Sequence, residues 1–294
     1  MRLTNVSRNY TIKQGDFLKN RLFPAYFSLS LILINVIRTI QLALLTDAKT
    51  GFYLDEYHGL GGLLSIVLVV VIFICGGLSL LSSFKIADVP APSVPLGIAQ
   101  LLLGVALCVE VFFSASLPST VHIMFVAVRI LLMVLSGIVF IYFGFMNFAG
   151  KKPRYFLILI PILLWLVRIA VTFISYTGMS NISSNLYEIA MLAFTILFLS
   201  GHGKLLCGVA SRSTKKLTLI TGVIAALFSS ICCIPQIIMM LLGRQVELHA
   251  SVDSIATSIF VVIYIVTYLL SKEYKQPKHA KRGGETTEPA SFDR

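Results

Sequence analysis

Charge is what this sequence has least of: Asp, Glu, Lys and Arg together make up 13% of its 294 residues. A water-soluble domain carries roughly 25%, because its surface has to be wetted. An ordinary soluble globule is therefore excluded. Catalytic signatures are missing as well: there is no HExxH, no G-x-S-x-G and no paired-glutamate motif of the intramembrane-protease kind. Each of those chemistries needs a base or a metal ligand beside a nucleophile. The stretch Gly201-His202-Gly203-Lys204 lacks the remainder of a P-loop. The sequence points away from catalysis.

Cysteine is sparse, at Cys75, Cys108, Cys207, Cys232 and Cys233, with no CxxC spacing. These read as small apolar packing residues rather than as a zinc site. Only the Cys232-Cys233 pair beside Pro235 stands out. His58, His122 and His249 fall in polar loops near Asp55, Glu56 and Glu247, but no two share a ligand spacing on one element. The sequence thus calls for no cofactor and no resident metal. A signal-peptide pattern is also lacking in MRLTNVSRNYTIKQGDFLKNRLF, so the first apolar run is expected to stay and act as the insertion signal.

What the chain does have is apolar length: 57% hydrophobic residues and a mean hydropathy of +0.89. The runs are Pro24 to Leu45, Leu60 to Phe84, Val94 to Phe113, Val121 to Phe148, Tyr155 to Tyr176, Leu186 to about Gly203, Leu217 to Gly243 and Ser251 to Ser271. About 20 residues cross a hydrocarbon core of about 30 Å as a helix. The reading is an all-α integral membrane protein with about eight transmembrane helices, the sixth being the shortest. Residues 1–23 form a cytoplasmic N-terminal segment, 24–271 a single membrane domain, and 272–294 a disordered cytoplasmic tail poor in apolar residues.

A net charge of +11 invites a nucleic-acid partner, but the basic residues lie between the apolar runs and form no continuous patch. They are arranged as cytoplasmic loops would place them. The N-terminal segment, the tail and the loops after the second, fourth and sixth runs hold nineteen Lys and Arg; the opposite side holds only Lys49 and Arg244. This positive-inside bias puts both termini in the cytoplasm, and an even number of spans agrees. The expected location is the cell membrane, with the bilayer itself as the first partner.

The two halves align at two similar offsets, 125 residues for the first set of matches and about 130 for the second. Ile72-Phe-Ile-Cys-Gly-Gly-Leu-Ser-Leu-Leu81 falls on Leu197-Phe-Leu-Ser-Gly-His-Gly-Lys-Leu-Leu206, and Gly97, Gly104 and Cys108 fall on Gly222, Ser229 and Cys233. Pro24-Ala-Tyr-Phe leads to Arg38 much as Pro153-Arg-Tyr-Phe leads to Arg168. The pattern suggests a parallel repeat of four plus four spans, residues 24–150 and 153–275, since an even-numbered unit keeps its orientation. Pro161 and Pro235 are expected to bend their helices. Gly222, Ala226 and Ser230 recur every four positions and predict a close helix contact.

Within the runs sit Arg38, Glu110, Arg129, Arg168 and Glu188, with Asn35, Gln41, Gln100 and Gln236 among the uncharged polar residues. An Arg or Asp at mid-span costs about 2.5 to 3.5 kcal/mol on translocon scales, so such residues demand a reason. Given the orientation, Arg38, Arg129, Arg168, Glu110 and Gln236 share a slab about 5 to 10 Å outward of the midplane, and Glu188 lies nearer the outer surface. Two readings follow. A small-molecule or ion transporter, or its membrane subunit, would bind an anionic group at Arg38, Arg129 and Arg168 in a hollow, wet layer. A non-catalytic sensor or scaffold serving a partner membrane protein would instead have a dry layer in which each Glu pairs with an Arg.

Overall fold

A computed structural model describes residues 23–47, 52–81, 93–113, 123–151, 154–176, 183–208, 211–243 and 252–271. The expected cytoplasmic segment up to residue 22, the tail 272–294, and Lys49, Lys85, Lys152, Arg244, Glu247, His122 and His249 lie outside the described residues. Eight helices are described: α1 Phe23–Leu45, α2 His58–Leu81, α3 Val94–Phe113, α4 Ile123–Phe148, α5 Leu159–Tyr176, α6 Ser183–Leu206, α7 Arg212–Leu241 and α8 Val252–Leu269. The first seven are long and apolar enough to cross a membrane. The eighth, with 18 residues, would reach about 27 Å at 1.5 Å per residue, close to the thickness of a hydrocarbon core.

Several boundaries differ from expectation. The sixth run is not the shortest: α6 extends over 24 residues because Ser183, Ser184 and Asn185 join its first turn and Lys204 its last. Hydropathy trims polar helix ends that the backbone retains. Helix α7 likewise begins inside the basic loop, where the Ser211 side chain accepts from the Thr214 amide as an N-cap. Pro161 does not interrupt α5. A 3-10 turn occupies Tyr155–Ile158, and the proline sits in the first α turn, where its missing N–H removes no intrahelical bond. Pro235 does lie inside α7.

The molecule is apolar on the outside, and a few charged side chains are buried within its largely apolar interior. Leu29, Ile66 and Phe112 are 67%, 66% and 82% exposed, whereas Arg38 and Glu110 are 3% and 1% exposed. Bare aliphatic surface on this scale is stable only against lipid. Helix α7 is the hub, packed against α2, α6 and α8, while α3, α4, α5 and α6 follow one another in contact and α3 returns to α8. Its Gly222, Ala226 and Ser230 are buried as the small-residue spacing predicts: a Cβ on Gly222 would stand 2.9 Å from the Phe198 ring of α6.

The tightest pair is α3 with α4, and glycine makes it so. A Cβ added to Gly104 would lie 2.7 Å from the Gly137 carbonyl oxygen, and one added to Gly137 would lie 2.5 Å from Cys108 Sγ. The packing of the halves is not symmetric. Helices α6 and α7 pack closely, whereas α2 and α3, their counterparts under a four-plus-four duplication, barely touch.

Candidate functional site

Helical spacing brings the charged side chains inward. On α3 the buried stripe Leu96, Gln100, Leu103, Leu107, Glu110 advances by alternating steps of four and three, so Glu110 continues an apolar face. On α5, Leu164, Trp165, Arg168 and Val171 form the matching stripe. Where they meet, Arg168 Nη2 and Nη1 donate to Glu110 Oε1 and Oε2 at 2.6 and 3.3 Å. Arg129 Nη2 of α4 donates to Oε1 at 3.3 Å, and Thr257 Oγ1 of α8 donates to Oε2 at 2.6 Å. One carboxylate therefore joins four helices. The Arg168 guanidinium also lies 5.9 Å from the Trp165 ring.

Arg38 stands apart from this group. On α1 the buried stripe Ile34, Asn35, Arg38, Gln41, Leu42, Leu45 faces the bundle, and α1 ends in a π turn over Gln41–Leu45. Arg38 Nη1 donates to Gln41 Oε1 at 3.2 Å and to Ser183 Oγ at 3.4 Å, and Nη2 to Ser184 Oγ at 2.6 Å. The Tyr187 ring covers its face at 4.9 Å. Gln41 Nε2 in turn donates to the Gly61 carbonyl and to Ser65 Oγ of α2 at 3.1 and 3.3 Å.

The segment between α1 and α2 completes this second cluster. A bridge between Thr46 and Tyr53, with Asp47 N–H donating to Phe52 O and Leu54 N–H to Leu45 O, folds Tyr53 back over the helix ends. Its ring lies where a Cβ on Gly61 would be, 2.6 Å away, so glycine there is a packing requirement. Its hydroxyl then reaches Ser65 Oγ at 2.6 Å and Ser183 Oγ at 3.0 Å.

The single layer expected from the sequence is thus divided. Glu110, Arg129 and Arg168 meet; Arg38 joins α1, α2 and α6 instead. Glu188 is half-buried one helical turn beyond Ser184 on α6, and Arg38 bonds the serines rather than that carboxylate. Gln236 is half-buried on α7, and its Oε1 meets no hydrogen-bond donor. Asn35 Nδ2 ties α1 to α7 through Ser230 Oγ at 3.1 Å. Ser183, Ser184, Tyr53, Tyr187 and Thr257 had no distinguishing sequence signal, since hydroxyls in helices commonly bond their own backbone. A further polar contact at the other end, His202 Nδ1 to Tyr264 Oη at 2.9 Å, is also one that spacing does not reveal.

The five cysteines are free, Cys75 and Cys233 being buried. Among the described residues no group of three His, Cys, Asp or Glu side chains could hold a metal ion.

Fold and site together define a class: a multi-pass helical bundle of the membrane type, with Arg38, Glu110 and Arg168 buried inside it. Comparison with protein-family models, with curated proteins and with solved structures gave no match to this chain.

Proposed function

We propose that this protein is a non-catalytic membrane sensor or scaffold, in which the Glu110 network is a structural clamp. The observation that carries this reading is the occupancy of Glu110: both oxygens are engaged, by Arg168, Arg129 and Thr257, and the residue is 1% exposed. Transport of an anion through Arg129 and Arg168 would need their donors directed to a wet path, whereas here they converge on a buried carboxylate. Such a network fixes which helices are neighbours, as polar groups between membrane helices do.

In this reading the chain crosses the cell membrane eight times, α8 included, with both ends cytoplasmic and the Glu110 and Arg38 clusters towards the outer face. Its partners are the bilayer and a second membrane protein, and an anionic small molecule enters only at Arg38. The transporter reading draws its remaining support from Arg38, whose hydrogen-bond partners are all uncharged.

The test is accessibility. A Thr257→Cys variant lacking the five native cysteines places a thiol against Glu110. In a dry clamp it stays unreactive to a small impermeant thiol reagent until the protein is unfolded. Rapid labelling in the native state, slowed by an added anion, would establish a hollow layer and end the clamp reading.

A further inference from the structure

The two clusters differ in how they meet charge. In the first, a carboxylate lies among the guanidinium groups. In the second, Arg38 is 3% exposed, and its partners Gln41, Ser183 and Ser184 offer oxygens without charge. Hydroxyl and amide oxygens satisfy N–H donors but leave the positive charge unbalanced. A lysine or histidine in such a place could shed its proton; arginine cannot. Among the described residues no carboxylate is paired with Arg38.

The unspent donors have a defined geometry. A guanidinium carries five N–H groups, and three hydrogen bonds are made here, two from Nη1 and one from Nη2. What remains is Nε–H and one N–H of Nη2. Those two nitrogens form the side edge of the guanidinium, the edge that grips a carboxylate with two parallel bonds. One flat face is already covered by Tyr187. The Tyr187 hydroxyl is itself buried and completes no hydrogen bond of good geometry.

Ser183 and Ser184 add a second contribution, because they open α6. The first amides of a helix have no intrahelical acceptor, and the aligned backbone dipoles favour negative charge at that end. Tyr53 brings another hydroxyl to the same place through Ser183. Glu188, one turn further along the same helix face, limits how much negative charge the place accepts.

From this geometry we infer that Arg38, with Ser183, Ser184, Tyr53 and Tyr187, forms a binding site for a carboxylate-bearing monoanion at the outer end of the bundle. It extends the sensor reading by naming the chemical class of the ligand. The carboxylate can belong to a small free acid or to the headgroup of an anionic phospholipid, and both present the same two oxygens.

The test uses the full chain, purified in lipid-free detergent, with melting temperature as the readout. Sodium acetate is titrated against sodium sulfate at matched ionic strength. A ligand bound only by the folded state raises the melting temperature saturably. Acetate is expected to do so and sulfate is not. Arg38→Gln should abolish the shift. Ser183→Ala/Ser184→Ala, which keeps the charge and carries the test if Arg38→Gln fails to fold, should raise the half-saturating concentration about tenfold or more, as losing charge-assisted hydrogen bonds entails.

A parallel arm compares nanodiscs of phosphatidylcholine with nanodiscs containing phosphatidylserine. A shift with acetate assigns a free acid, and an Arg38-dependent shift with phosphatidylserine alone assigns the headgroup. An equal response to acetate and sulfate with no phosphatidylserine effect overturns the site, as does a response that survives both sets of variants. Glu110→Gln melts lower yet keeps the acetate response, so failure of the clamp and failure of this site are distinguishable.

Discussion

Removing Glu110 is the sharpest perturbation this bundle offers, because the order of severity among variants can be worked out beforehand. The native cluster holds two guanidinium groups and one carboxylate. Glu110→Gln leaves Arg168 and Arg129 facing each other without a counter-charge and weakens the bonds that both make to Glu110. Stranding one partner of a buried pair costs about 3 to 5 kcal/mol. At about 2 to 4 °C per kcal/mol for a chain of this order of size, the melting temperature should fall by roughly ten degrees. Arg168→Met is milder despite removing the two-pronged bond, since Glu110 keeps Arg129 and Thr257 and the remaining pair is neutral. That loss should be about 1.5 to 3 kcal/mol, the range for hydrogen bonds to charged groups.

Combining Glu110→Gln with Arg168→Met leaves only Arg129, whose side chain is 12% exposed and can extend out of the cluster. The double variant should therefore recover about half of the Glu110→Gln loss. Cys75 and Cys233, both buried, give the assay: in a Cys207→Ser background a fluorogenic thiol dye reports their exposure as the protein unfolds. If Arg168→Met proves more damaging than Glu110→Gln, or the double variant melts no higher than Glu110→Gln, the charge argument is refuted.

Orientation and packing yield two further predictions. In a background without native cysteines, Asp55→Cys should react with an impermeant thiol reagent from outside intact cells, while Ser213→Cys and Ala280→Cys should not; reversed labelling overturns the topology. Gly137→Leu should force α3 and α4 apart, because even a Cβ there meets Cys108 Sγ at 2.5 Å. Overpacking of this kind costs about 1 to 3 kcal/mol, and a melting temperature unchanged within two degrees or so would show that the helices separate more freely than the contact implies.

The helices were legible because a single physical quantity, transfer of apolar length out of water, sets both their number and their rough limits. Helix α3 was read to the residue, Val94–Phe113, since proline-rich sequence precedes it. Where a helix continues through polar residues, as α6 does at Ser183 and α7 at Arg212, hydropathy falls before the backbone hydrogen bonds end. Pro161 was misplaced for a related reason. Its effect depends on whether it falls in the first turn or beyond, and a boundary drawn from composition is uncertain by about that much. The internal alignment is weaker evidence still, because apolar segments share Gly, Leu and Phe whatever their ancestry. Two arginines that align, Arg38 and Arg168, have unlike surroundings: one bonds hydroxyls of α6, the other a carboxylate of α3.

That contrast marks where sequence reading stops in this protein. Intramembrane charge identifies the residues that must be accommodated, and the arginines and Glu110 do turn inward. Whether an arginine is neutralised, however, depends on which helix faces it, and helix adjacency leaves no trace in hydropathy. Arg129, Arg168 and Thr257 meet at Glu110 because α3 touches both α4 and α8 and α4 touches α5. Arg38 differs because α1 lies against the first turn of α6, which supplies serines. The same residue type therefore has opposite surroundings, a carboxylate at Arg168 and uncharged oxygens at Arg38. Counting arginines in the layer therefore does not separate the two cases; the partner of each guanidinium does, a carboxylate at Arg129 and Arg168 and, among the described residues, only uncharged oxygens at Arg38.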